Sequence, residues 1–109
     1  MIRVEALWLS VEPLDMRAGT ETILARVVQV FGAAQPHHAY LFANRCGTRM
    51  KVLIHDGHDI WLAHRRLNQG RFHWRVGRVS VELSLPQFDA LILGLPWERL
   101  ADGGVIRIL

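Results

Sequence analysis

Met50-Lys51-Val52-Leu53-Ile54-His55-Asp56-Gly57-His58-Asp59-Ile60-Trp61-Leu62-Ala63-His64-Arg65-Arg66-Leu67 is the stretch on which the fold turns. A period of two puts Met50, Val52 and Ile54 on one purely apolar face and Lys51, Leu53 and His55 on the other, which is the signature of a strand. Asp56-Gly57 interrupts the pattern, and glycine accepts the positive φ that a tight hairpin needs. Ile60 to Leu67 then returns as a second strand whose far end is cationic on both faces. Working outward, Ala39 to Asn44 is a preceding strand joined through Arg45-Cys46-Gly47-Thr48. Asn68-Gln69-Gly70 leads into two short strands, Arg71 to Arg75 and Val79 to Leu83, linked through Gly77. Short apolar runs separated by turn residues predict an antiparallel meander.

The flanks supply the remaining elements. Val4 to Leu9 reads as a strand, closed by Ser10-Val11-Glu12-Pro13 because proline cannot continue the ladder. From Thr20 to Phe31, the residues Ile23, Leu24, Val27, Val28 and Phe31 make one helical stripe, ended by Gly32. Thr20 is the expected cap of that helix, and Asp15 of an earlier turn. Ser84 followed by Pro86 marks a second helix start, with Phe88, Leu91, Ile92 and Leu95 facing inward. The tail, Val105 to Leu109, reads either as an edge strand or as a loose end. The expected architecture is a single α+β domain over residues 1–109: an antiparallel sheet of about five strands, both helices on one face, and function on the other.

Length and composition bound the function. At 109 residues and 50% hydrophobic, the chain suits one core. No run of about 18 apolar residues and no signal-like amino terminus occurs, so a cytoplasmic protein without membrane association is expected. Cys46 is the sole cysteine, which excludes an internal disulfide. Charge is unevenly placed. Arg45 to Arg78 holds eight of the thirteen Lys and Arg residues against Asp56 and Asp59, so a segment near +6 sits within a net charge of +3. That asymmetry fits a polyanion-binding face, and it also fits strand edges that use cations against aggregation.

Catalytic constellations are not evident. His55 and His58 flank a turn with Asp56 and Asp59, but His64 and His73 have no fixed spacing to them, which makes a weak metal signal. Glu5, Asp15, Asp56 and Glu82 are scattered singly, whereas a metal-dependent nuclease gathers its carboxylates. No nucleophile-elbow or Walker-type glycine pattern is present. What remains is the set Arg45, Arg49, Lys51, Arg65, Arg66, Arg71, Arg75 and Arg78 among Trp61, Phe72 and Trp74. Guanidinium groups bind phosphate bidentately, and aromatic rings either stack on bases or belong to the core.

The order Asp15-Met16-Arg17-Ala18-Gly19, Tyr40-Leu41-Phe42, Lys51-Val52-Leu53-Ile54-His55-Asp56-Gly57, then Arg66-Leu67 and Gly70-Arg71-Phe72 with Trp74, resembles the small accessory protein, often called TnpB, of the IS-sixty-six type of bacterial insertion sequence. It is distinct from the RNA-guided nuclease that bears the same label in other transposons. The resemblance runs from the first strand through Trp97. It implies a factor that assists transposition beside a separate transposase, which carries the acidic catalytic residues; it implies no biochemical activity of its own. The chain departs from relatives in having Ala18 where a second basic residue is usual, His58 near a usual amide, and a tail without their basic, proline-containing ending.

The resulting expectation is a non-enzymatic factor without cofactor or metal that contacts DNA through Arg17, Arg45, Arg49, Lys51, His55, Arg65, Arg66, Arg71 and Trp74. An alternative is a protein-interaction module that binds the element's transposase through a strand edge or aromatic patch. A third is a metal-assisted hydrolase using His55 and Asp56.

Overall fold

In the computed structural model, which describes residues 3–72, 74 and 81–99, five strands form one sheet in the order β4-β3-β2-β1-β5. The strands are β1 Ala6–Leu9, β2 His38–Ala43, β3 Arg49–His55, β4 Ile60–Arg66 and β5 Val81–Leu83; the helices are α1 Thr20–Phe31 and α2 Leu85–Ile92. The expected hairpins β2-β3 and β3-β4 are present and antiparallel. The sheet as a whole is mixed, however, because β1 lies parallel to β2 with α1 as the crossover between them. Parallel neighbours need such a crossover, and the Thr20 helix supplies it. Of the two short strands expected after Gly70, Arg71, Phe72 and Trp74 fall outside regular structure, and Val81–Leu83 pairs with β1 rather than extending the meander. Parts of both expected strands, and the whole tail after Arg99, lie outside the described residues.

The two helices occupy opposite faces of the sheet, which corrects the expectation that both pack on one. The cause is β2. Its Ala39 and Leu41 point to the face where Leu7, Leu9, Met50 and Val52 meet Ala90 and Leu91 of α2, with Phe72, Leu83 and Trp97. Tyr40 and Phe42 point to the other face, where Leu53 meets Ile23 and Val27 of α1, together with Leu14. A central strand that is apolar on both sides demands cover on both sides. On α1 the buried stripe is narrower than the spacing suggests: Ile23 and Val27 are buried, whereas Val28 is exposed. Leu95, expected inside, is likewise exposed.

Local capping follows the sequence only in part. Ser84 caps α2 reciprocally, its Oγ accepting from the Gln87 amide at 3.2 Å while Gln87 Oε1 accepts from the Ser84 amide at 2.9 Å. For α1 the cap is Gly19, not Thr20, and no side chain caps it. The Tyr40 hydroxyl fastens the α1-β2 connection by donating to the Ala33 carbonyl at 3.1 Å and accepting from the Gln35 amide at 2.9 Å. Burial raises the Tyr40 phenol above its ordinary pKa.

The β4 strand is an outer edge. The Leu67 amide bonds the Thr48 carbonyl and the Asp56 amide bonds the Asp59 carbonyl, so alternate residues of β4 spend their amides on β3. The antiparallel pattern then turns the backbone groups of Ile60, Leu62, His64 and Arg66 outward, away from every described strand.

At the β3-β4 turn, Gly57 has φ +94°, and a Cβ there would come within 2.9 Å of His37 Cε1. His37 itself has φ 63° and is held through its backbone, donating to the His55 carbonyl at 2.7 Å and accepting from the Glu5 amide at 2.6 Å. Gly57→Val is therefore expected to destabilise the fold by at least about 1–2 kcal/mol from backbone strain alone. A lower urea midpoint at unchanged slope would show this; an unshifted midpoint would mean the turn relaxes freely.

Candidate nucleic-acid interface

Three chain segments meet beyond the carboxyl ends of β1 and β2. The first is the connection Val11 to Arg17, tied down where the Leu14 amide donates to the Ala43 carbonyl at 2.8 Å. The second is the β2-β3 turn, organised by Asn44, whose Oδ1 accepts from the amides of Thr48 at 3.0 Å and Arg49 at 3.1 Å. The third comprises Arg71, Phe72 and Trp74, docked where the Phe72 amide donates to the Gly47 carbonyl at 2.7 Å and the Trp74 indole donates to the Ser10 carbonyl at 2.7 Å. Two cavities open between these segments. One, of about 470 Å³, is bounded by Met16, Arg17, Asn44, Arg45, Cys46 and Arg49 among others. The other, of about 220 Å³, lies across Arg45 and Cys46 and is bounded also by Val11, Arg71, Phe72 and Trp74.

This end of the molecule gathers cations. Arg17, Arg45, Arg49 and Arg71 line the cavities, and Arg66 is the cross-strand partner of Arg49 on the same sheet face. Among the described residues the ion pairs are Arg3 with Glu5, Arg17 with Asp15 and Arg26 with Glu12. Arg45, Arg49, Arg66 and Arg71 thus carry no acidic partner there. Two like charges set directly opposite across a ladder repel, and Arg49 and Arg66 are such a pair. An anion placed between them would relieve that repulsion.

Other expected site residues have different roles. Lys51 Nζ donates to the Ala18 carbonyl at 2.9 Å, so it braces the Asp15 to Gly19 turn. Arg65 points to the opposite face and donates from Nε to the Ile92 carbonyl at 2.8 Å. His55 sits at the far end of β3, roughly 20 Å along the strand from Arg49 at the usual rise per residue. There its Nδ1 accepts from the Gly57 amide at 3.0 Å, within the turn. Trp74 is half-buried against the core and Phe72 is buried, so neither is a free stacking platform; Trp61 is the exposed one, at 52%. Arg75 and Arg78 lie outside the described residues.

Asp56 also belongs to the turn. Its Oδ1 accepts from the amides of His58 at 2.8 Å and Asp59 at 2.7 Å, and its Oδ2 from the Trp61 indole at 2.7 Å. These bonds, led by that from the Asp59 amide, hold its carboxyl well below the usual range. The pairing of His55 with Asp56 is thereby absorbed into turn geometry. Among the described residues no group of three or more His, Cys, Asp or Glu side chains is placed to hold a metal ion, and no helix is long and apolar enough to cross a membrane.

Sequence reading missed Pro13, Met16, Asn44 and Cys46 as parts of one site. Only Asn44 carried a signal, since asparagine at the start of a turn bonds its own backbone. Pro13 and Met16 are brought in by Val11 to Arg17, a segment about thirty residues away in sequence, and Cys46 lies in the β2-β3 turn itself.

The Asp15-Arg17 pair gives the site a measurable titration. Arg17 Nη2 lies 2.8 Å from Asp15 Oδ2, and Nε lies 3.1 Å from Oδ1. The guanidinium hydrogen bond, then the bond from the Arg17 amide, lowers the Asp15 pKa to about 2 from 3.8. A depressed carboxyl contributes stability that is present above pH 3.8 and is lost as pH falls through about 2. Carboxyl-detected NMR is expected to give a midpoint near that lower value, moving back up in Arg17→Ala. An ordinary midpoint in the parent protein would show that the pair does not persist in solution.

A curated protein named "Uncharacterized protein y4hO", from Sinorhizobium fredii (strain NBRC 101917 / NGR234), is 29% identical over 95 residues, covering 85% of this chain and 83% of that one. No solved structure matches the chain significantly. A family profile described as "IS66 Orf2 like protein" matches residues 5–102, and the chain accordingly belongs to that family of insertion-sequence accessory proteins.

Proposed function

We propose that the protein assists transposition as a non-enzymatic factor that contacts DNA, and that Arg45, Arg49, Arg66 and Arg71 are its phosphate clamps. The observation that carries this reading is that Arg45, Arg49 and Arg71 line adjoining cavities without an acidic partner among the described residues, with Arg66 directly opposite Arg49 in the ladder. Phosphate contacts of this type give affinity and register with little sequence readout. Arg17 contributes less, because Asp15 already occupies its guanidinium. Lys51, Arg65 and His55 support the framework through the bonds described above.

A second reading has its own observation. The outward backbone groups of β4, beside the exposed Trp61, suit an extended segment of the element's transposase, added as a further strand. Retention of the transposase in a pull-down after nuclease treatment supports that reading, and loss on nuclease treatment supports DNA as the bridge.

With four clamps, duplex binding is expected to follow a log-log salt slope of about −4. Replacing Arg45 and Arg49 together with Ala should reduce the slope by about 2 on unrelated sequences. Thermal stability should change little, because exposed charges contribute little to folding. A flat salt response in the parent protein would overturn the DNA reading.

A further inference from the structure

Building on the strand-addition reading above, we infer that the outer edge of β4 takes an extended segment of a partner protein, laid antiparallel, whose first residues are acidic and whose next residues are apolar. The open backbone donors decide where such a segment must lie. The Ile60 amide is already bonded to Asp59 Oδ1 at 2.8 Å, whereas the outward amides of Leu62, His64 and Arg66 have no partner among the described residues. These three stand at alternate positions, so a strand that satisfies them runs alongside His64, Arg65 and Arg66.

Side chains then set the composition of that strand. Residues opposite one another across a ladder attract when their charges differ and repel when they match. His64, Arg65 and Arg66 are all exposed, and Arg66 already faces Arg49 across the β3 ladder. An acid opposite Arg66 becomes third in that row and offsets the repulsion between the two guanidinium groups. A second acid, opposite Arg65, meets the guanidinium that donates from Nε to the Ile92 carbonyl on the other face. Toward its start the edge turns apolar: Ile60 and Leu62 are half-buried on one face, and Trp61 is exposed beside Ala63 on the other. β-Branched residues suit aromatic and aliphatic partners of this kind. Antiparallel pairing is the more stable per residue, and in that direction the residue opposite Arg66 comes first, so acids precede apolar residues.

A second copy of this chain fits less well. With outward groups facing outward groups, one register of an antiparallel copy sets Ile60 against Arg66 and Trp61 against Arg65, with no acid in either row. The next register sets Asp59 against Arg65, but it leaves the turn residue His58 against Arg66. Asp59 Oδ1 is moreover held by the Ile60 amide, and Asp56 by the amides of His58 and Asp59 and by the Trp61 indole. The acids of a copy are thus largely committed to its own turn.

The full chain would be titrated by NMR with the capped peptide Glu-Glu-Thr-Val-Val-Thr-Val. The amides of Leu62, His64 and Arg66 are expected to shift and to exchange more slowly with solvent. Replacing both glutamates with glutamine should weaken binding roughly fivefold at low salt, in line with two opposite-charge pairs. That difference should close at about 1 M salt. The same residues in reverse order should bind more weakly. His64→Pro removes one outward donor and spares the β3 ladder, so it should weaken the peptide while the unfolding midpoint holds. Arg66→Glu should erase the preference for glutamate over glutamine. Equal binding of the glutamate, glutamine and reversed peptides at these same amides would overturn the acidic segment and leave strand addition standing. No response of these amides to any peptide at millimolar concentration would overturn both. Protection of the three amides that rises with protein concentration alone would make a second copy the occupant and overturn the assignment.

Discussion

Two-sided burial of β2 is the constraint on which the molecule depends. Ala39, Tyr40, Leu41, Phe42 and Ala43 are all nearly inaccessible, so this strand is apolar on both faces. Each face must then be covered by something other than the strand's neighbours, and the chain has one helix for each. Placing β1 beside β2 in parallel solves two problems at once. It brings α1 across one face as the crossover, and it fills the side of β2 left open by β3. Burying a large aliphatic or aromatic side chain contributes about 1.5–3 kcal/mol. A charge introduced at Leu41 or Phe42 would therefore cost far more than any surface change in the molecule.

Covering both faces determines where a ligand can act. With the sheet's centre buried under a helix on each face, its ends and the exposed β4 strand are where described residues meet solvent. The ends differ. At one, Trp61 donates to Asp56, and His55 and Asp56 accept from amides of the hairpin backbone. At the other, Asp15 pairs with Arg17 while Arg45, Arg49 and Arg71 converge without an acidic partner among the described residues, and loops rather than side-chain pairs give the surface its concavity.

Much of this was readable in the residues. The alternation through Met50 to His55, the Asp56-Gly57 turn and the Ser84 cap each follow from local chemistry, and each is present. The partner of β1 was not readable, because a period of two reports which side chains share a face but not which strand lies alongside. The apolar run Ala39 to Ala43 did hold the clue to two-sided burial, since an exposed face would have required alternation. Cationic composition located the arginines correctly in sequence, yet Lys51 and Arg65 are committed to backbone carbonyls while Arg45, Arg49 and Arg66 are not. That distinction depends on tertiary approach, which composition cannot express.

The outer edge of β4 ends in His64, Arg65 and Arg66, a guarded terminus on a strand whose Leu62, His64 and Arg66 amides turn away from the sheet, while the Ile60 amide donates to Asp59 Oδ1 at 2.8 Å. An unguarded row of such groups is a template for sheet-to-sheet growth, and clustered positive charge opposes it. That repulsion reaches only about a Debye length, on the order of 10 Å at moderate ionic strength and 3 Å at 1 M. Arg66 stands both at this edge and directly opposite Arg49 in the ladder. Concentrated salt therefore removes the electrostatic barrier that keeps one sheet from extending another.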